Sequence, residues 1–112
     1  MDNAELATIC TLARLEMVIA ERRGGDPKAS YVAKLHAKGL GKIAQKLGEE
    51  AVETIIAALA EDRAALVGEA ADLLFHLMML LGAKEVPFAD VLAELDRREG
   101  ISGIAEKAGR KL

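Results

Sequence analysis

With 112 residues and a mass of 11.9 kDa, the chain has room for one domain around one core and none for a separate cofactor-binding domain. Apolar residues make up 52% but aromatic ones only 3%, which describes an aliphatic, Ala-rich core and argues against modules that stack nucleic-acid bases on aromatic rings. A net charge of −3 and a pI near 5.4 argue further against nonspecific attachment to nucleic acid or to an anionic membrane.

Two prolines, both near predicted helix ends, and long runs without breakers predict an all-α chain. The spacing predicts a first helix from about Ala4 to Arg22, capped by Asn3, with Leu6, Ile9, Ala13, Met17 and Ala20 on one stripe. Arg23, Gly24, Gly25, Asp26 and Pro27 end it. Ser30 caps a short helix over Tyr31 to Ala37, which Gly39 stops. A third helix follows from about Gly41 to Ala60, with Ile43, Leu47, Val52, Ile55, Ile56 and Leu59 in helical spacing on its buried side. Asp62 caps a fourth from Arg63 to Ala83, and Pro87 with Phe88 opens a last one that runs to Arg98. Beyond Glu99 the pattern dissolves into glycines and scattered charges. Residues 1–98 therefore read as one all-α domain and residues 99–112 as a weakly ordered tail. Three longer helices and two shorter ones pack as a bundle, or as half of one.

Cys10 is the only cysteine, which leaves no intrachain disulfide and suits a reducing cytosol. Its helical spacing with Leu6, Ile9 and Ala13 marks it as a packing residue rather than a nucleophile. The N-terminus has no basic region followed by an apolar run, so no signal peptide is expected. The most apolar stretch, Leu73 to Ala83, is too short to span a bilayer, is preceded by Asp72 and is interrupted by His76. A soluble, cytoplasmic chain is expected, with no nucleic-acid or membrane partner.

The near-neutral total conceals two opposed blocks. Arg22, Arg23, Lys28, Lys34, Lys38, Lys42 and Lys46 are set against Asp26 alone, a local balance of +6. Glu49, Glu50, Glu53, Glu61, Asp62, Glu69 and Asp72 are then set against Arg63 alone, a balance of −6. Successive helical residues turn by about 100°, so Glu49, Glu50 and Glu53 share roughly a third of the third helix's surface, beside its apolar stripe. On the fourth helix, Glu69, Asp72 and His76 fall within about 60° of one another. They form a polar line in a helix that from Ala70 to Ala83 is otherwise apolar nearly all round.

Carboxylates in such a setting are costly without compensating cations or donors, and five acids on two consecutive helices repel unless a divalent metal joins them. Carboxylate oxygens without a Cys or His cluster favour Mg²⁺, or Mn²⁺ in its place, over zinc. A ferritin-like di-iron site needs two Glu-x-x-His pairs, whereas the residues three before His36 and His76 are Ala33 and Leu73. The plainer alternative is a solvated acidic face with a hydrogen-bonded core histidine, and the polar line inside the apolar helix weighs against it.

The pattern Glu49-Glu50-x-x-Glu53, fifteen residues, then Glu69-x-x-Asp72 resembles the MazG-like all-α nucleotide pyrophosphatases. Further stretches narrow the likeness: Ser30-Tyr31, Lys38-Gly39-Leu40, Lys46-Leu47-Gly48-Glu49-Glu50-Ala51-Val52-Glu53, Glu69 through His76, and Leu95-x-Arg97-Arg98. Together they resemble the phosphoribosyl-ATP pyrophosphatase family over about Leu6 to Arg98, with Phe75 where that family has Tyr and Val32 where it has Thr. The resemblance implies a helical bundle completed by dimerisation. It also implies Mg²⁺-dependent hydrolysis of 1-(5-phosphoribosyl)-ATP to 1-(5-phosphoribosyl)-AMP and pyrophosphate, the second step of histidine biosynthesis. On that reading Glu49, Glu50, Glu53, Glu69 and Asp72 hold metal, and Glu50 or Glu53 takes the water proton. Arg22, Ser30, Tyr31, Lys34, Lys38, Lys42, Lys46, His76 and Arg97 contact substrate. The four lysines Lys34, Lys38, Lys42 and Lys46 recur every four residues, but Gly39 keeps them from being one helical face. Two competitors remain at this point: hydrolysis of ordinary or damaged nucleoside triphosphates at the same metal site, and a non-catalytic helical module whose acids only solvate it.

Overall fold

The computed structural model describes residues 2–101 together with 103, 107 and 109, with residues 5–10 described by their backbone alone. Five helices follow in chain order: α1 (Asn3–Arg22), α2 (Tyr31–Lys38), α3 (Leu40–Ala60), α4 (Arg63–Ala83) and α5 (Phe88–Arg98). The described residues contain no strand, so the chain is all-α, and the helix ends differ from the predicted ones by a single residue or none. Asn3 is the first helical residue rather than the cap. The packing expected of Leu6, Ile9 and Cys10 falls on side chains outside the described residues. So does most of the 99–112 tail, whose backbone is helical at Gly103, Lys107 and Gly109.

Local chemistry sets the breaks. The Ser30 hydroxyl accepts the Ala33 amide at 3.2 Å, satisfying one of the orphan donors that open α2. Gly39 joins α2 to α3 at φ 95°, a backbone angle that side-chain-bearing residues rarely adopt. Asp62 caps α4 by accepting the Ala65 amide at 2.9 Å, and Glu61 with Asp62 lets α4 fold back along α3. This hairpin is the main packing unit, with α1 laid on α4 and α2 across α3. Two polar ties fasten the far end: the Arg23 guanidinium donates to the Gly82 carbonyl, and the Phe88 amide donates to a Glu16 carboxylate oxygen at 2.8 Å.

The core lies where α3 begins and α4 ends. Ile19, Val32, Leu35, Ile43, Met78 and Met79 are buried there, with Leu15, Phe75, Leu80, Ala83 and Phe88 packed against them. On α1 the inward residues are Leu12, Leu15, Val18 and Ile19, and the expected stripe through Ala13, Met17 and Ala20 is exposed. Both sets have helical spacing, and the bulkier one turns inward because it removes more apolar area from water. The expected buried side of α3 is corrected more sharply. Val52, Ile55, Ile56 and Leu59 are exposed, Leu59 at 83%. Of the expected side, Ile43 is buried and Leu47 half-buried, and the line continues from Ile43 through Glu50 and Ala57, buried at intervals of seven.

On α4, His76, Met78 and Met79 are buried, whereas Asp72 is exposed and not embedded as its apolar neighbours suggested. Taken whole, α4 has 21 residues and is long and apolar enough to cross a membrane by length and composition alone. Here it serves as the second arm of the hairpin. The radius of gyration is 16.2 Å, against about 13 Å for a compact chain of this length.

Candidate active site

Because the α3 seam repeats every seven residues, it carries a carboxylate into the interface between the two arms. Glu50 is 7% exposed, with Ile43 one heptad before it and Ala57 one after. From α4, Glu69 and Asp72 are three residues apart and therefore neighbours on one face. One carboxylate oxygen from each of Glu50, Glu69 and Asp72 lies within 4.8 Å of the other two. The Oε2 atoms of Glu50 and Glu69 are buried without a hydrogen-bond partner among the described residues. Burial pushes the Glu50 carboxyl above the ordinary glutamate range, and the nearby carboxyls of Glu53 and Asp72 push it further, while Lys46 opposes. Glu69 is raised by burial, then by Glu53, Glu50 and Asp72.

Two orphaned acceptors beside a third carboxylate form a gap that a hard divalent cation fits: oxygen donors only, and like charges that would otherwise repel. Glu53 adjoins the triplet, within hydrogen-bonding reach of both Glu50 and Glu69 whenever one carboxyl of the pair carries a proton. Glu49 is turned elsewhere. Its Oε1 accepts from Gln45 at 2.9 Å and its Oε2 pairs with Lys46 Nζ at 3.2 Å. These bonds hold its carboxyl below the usual range, Gln45 first and Lys46 second. Lys46 also reaches Glu50 at 3.8 Å and so stands between the metal-type cluster and the basic side of the site.

That basic side is a cavity of about 270 Å³ lined by Tyr31, Lys34, Leu35, Lys38, Lys42, Lys46 and Glu49. All four lysines meet there because the turn at Gly39 brings α2 across α3, so two short runs on different helices face one space. Tyr31, 48% exposed, also borders a neighbouring cavity with Ser30 and Lys34. Its hydroxyl lies 2.9 Å from His76 Nε2, while His76 Nδ1 lies 2.7 Å from the Asp72 carbonyl. A carbonyl only accepts, so Nδ1 donates to it, and the neutral ring accepts the Tyr31 hydroxyl proton at Nε2. Burial raises the Tyr31 hydroxyl above the ordinary phenol range, with Glu50, Glu49 and Asp72 adding and Lys46 opposing, which keeps it a donor.

His76 is thus 5% exposed with both ring nitrogens occupied, and it reaches the site through Tyr31 and the backbone of Asp72 rather than by facing a cavity. Ser30 spends its oxygen on the α2 cap. Arg22 is exposed at the end of α1 and does not line the lysine cavity. Arg97 pairs with Glu94 at 2.8 Å on α5 and is not brought to the cluster either. Two polar residues had no role in the sequence reading: Gln45, which holds Glu49, and Thr54. The Thr54 hydroxyl lies 2.7 Å from the Glu50 carbonyl and 3.1 Å from that of Glu69. The signal for Thr54 was its place four residues after Glu50 and seven after Leu47, on the seam rather than on the acidic face.

Comparison with known proteins places the chain in a family. The family model described as Phosphoribosyl-ATP pyrophosphohydrolase matches residues 12–99. The phosphoribosyl-ATP pyrophosphatase of Novosphingobium aromaticivorans is 79% identical over 99 residues, covering 88% of this chain and 92% of that protein. That of Rhizorhabdus wittichii is 72% identical over 100 residues, covering 89% and 94%, and that of Zymomonas mobilis is 59% identical with the same coverage. The matched span takes in the acid triplet, Glu53, the lysine cavity and the Tyr31–His76 pair, and on the match over residues 12–99 and these identities the chain belongs to the phosphoribosyl-ATP pyrophosphohydrolase family, within the MazG-like superfamily.

Proposed function

We infer that the chain hydrolyses 1-(5-phosphoribosyl)-ATP to 1-(5-phosphoribosyl)-AMP and pyrophosphate, the second step of histidine biosynthesis. The names of relatives sharing 59% to 79% of its residues support the reaction. The observation that carries it is the juxtaposition of an oxygen-only acid cluster containing two orphaned carboxylate oxygens with a four-lysine cavity. One part suits a divalent cation and the other a polyanion.

Glu50, Glu69 and Asp72 would hold Mg²⁺, or Mn²⁺ in its place. When bound there, the ion would supply Lewis-acid polarisation of the phosphoryl oxygens and charge neutralisation for the leaving pyrophosphate. Glu53, beside the triplet rather than within it, accepts a proton from the attacking water as the new P–O bond forms and the anhydride bond to pyrophosphate breaks. Glu50 is the less favoured base, because on the same reading its carboxylate is committed to the cation. Lys34, Lys38, Lys42 and Lys46 act as fixed cationic donors to the phosphates, and Glu49 with Gln45 keeps Lys46 in place. The half-exposed Tyr31 ring walls the cavity, oriented by His76. Arg22 and Arg97 enter the site only if a second chain or a bound substrate draws them in.

A homodimer is the proposed working form, supported by the exposed apolar side of α3, and the cytoplasm the proposed location. Release of pyrophosphate from phosphoribosyl-ATP, ATP and the deoxynucleoside triphosphates, each with Mg²⁺ and with chelator, tests the reading. Turnover of phosphoribosyl-ATP well above the others and lost on chelation is expected. Equal or better turnover of ordinary triphosphates points to a house-cleaning pyrophosphatase, and no turnover of any nucleotide to a non-catalytic module.

A further inference from the structure

Each arm of the hairpin brings carboxylates to the cluster, so the cluster's geometry is only as fixed as the spacing of the arms. Beside the acids, one side chain bridges the two backbones directly. The Thr54 hydroxyl lies 2.7 Å from the carbonyl of Glu50 on its own helix and 3.1 Å from the carbonyl of Glu69 on the other. The first contact is the ordinary back-bond of a helical threonine to the residue four before it. The second is not, since it crosses from α3 to α4 and ends on the backbone of an acid in the triplet. With one hydrogen to share between two acceptors, the hydroxyl ties together the peptide groups of the two residues whose Oε2 atoms are buried and unpartnered.

Both carbonyls are already engaged by the helical amide ladder, Glu50 by the amide of residue 54 and Glu69 by that of residue 73. Loss of the hydroxyl therefore leaves no buried acceptor unsatisfied, and the helices survive without it. What the hydroxyl adds is registration of the acid-bearing turn of α3 against that of α4. On α4, the His76 ring anchors to the Asp72 carbonyl and ties it through Tyr31 to α2. Among the described residues, Thr54 gives Glu69 its one such anchor.

We propose, resting on the reading of Glu50, Glu69 and Asp72 as a divalent-cation site, that Thr54 is a positioning residue that sets the separation of Glu50 and Glu69 and thereby the affinity for the cation. Groups outside the ligand set that orient metal ligands change affinity by about 10- to 100-fold when removed. The test follows thermal unfolding of the full chain during MgCl₂ titration, with no substrate present, for wild type, T54V, T54A and T54S. T54V and T54A are expected to need about 10-fold more Mg²⁺ for half the maximal shift, and T54S to stay close to wild type. T54A and T54S differ by the hydroxyl alone, so that comparison holds even if T54V fails to fold. Wild-type titration of T54V and T54A overturns the proposal, as does a T54S that behaves like T54A, which would assign the effect to the methyl group. A wild-type protein that turns over substrate but shows no Mg²⁺ response overturns the cation reading itself.

Discussion

Glu50 is a side chain that costs the fold stability and that, on the proposed function, holds the cation. It takes a seam position that Ile43 and Ala57 fill with apolar groups, and one of its oxygens is buried and unpartnered. Burial first, and the neighbouring carboxyls next, raise its folded-state pKa above the ordinary 4.5. A raised carboxyl destabilises the folded protein through its ionised form, so the cost is absent below about pH 4.5 and grows as pH rises beyond it. Without metal, E50Q is expected to be more stable than wild type at pH 7, because its amide brings no charge into the seam, and no more stable at pH 4. Urea unfolding at the two pH values checks this. D72N, at an exposed position, is expected to fold like wild type yet lose nearly all Mg²⁺-dependent turnover, and an active D72N would remove Asp72 from the metal site. That acids from two consecutive helices can meet was legible in the sequence, since Glu49, Glu50 and Glu53 share one face of α3 and Glu69 and Asp72 one face of α4. That Glu49 turns to Gln45 and Lys46 was not, because side chains one residue apart on a helix point about 100° apart and only packing decides which of the two enters the seam.

The helices differ in what holds them. α3 and α4 are held by each other, whereas no residue of α5 is buried. Along α5, Glu94 accepts from Arg97 at 2.8 Å and from Arg98 at 3.0 Å. These bonds, Arg97 first, lower its pKa from 4.5 to about 2. A lowered carboxyl contributes stability that is fully present above about pH 4.5 and disappears as pH falls through about 2. E94Q is therefore expected to loosen α5 at pH 7 in low salt, a difference that closes between pH 4.5 and 2 and that salt diminishes. Amide hydrogen exchange across Phe88–Arg98 reads it. Element boundaries were almost wholly legible, because Ser30, Gly39, Asp62 and Pro87 act through local chemistry. The gathering of Lys34, Lys38, Lys42 and Lys46 was not, because it depends on the angle at which α2 crosses α3.

For the whole molecule, the deciding feature is what the single chain leaves uncovered. Val52, Ile55, Ile56 and Leu59 on α3 and Val67 at the start of α4 stay exposed, a run of apolar surface of the kind that marks association. Double substitution I55D/L59D is expected to convert a dimer into single chains in sedimentation velocity and to leave α3 helical, since neither side chain contributes to the core. A wild-type protein that sediments as one chain would remove the dimer from the proposed function. The amino-acid sequence alone determined the all-helical class, the order and ends of the helices, the opposed charge blocks and the carboxylates suited to a divalent ion, because each follows from neighbours within a few residues along one chain. Only the tertiary structure decided which apolar stripe of α1 and of α3 turns inward, which acids converge, and that Thr54 ties the acid-bearing turns of α3 and α4 together while Tyr31–His76 ties α4 to α2. Those choices depend on which surfaces of separate helices meet, and helical periodicity, satisfied equally by the buried and the exposed stripe, carries no information about that.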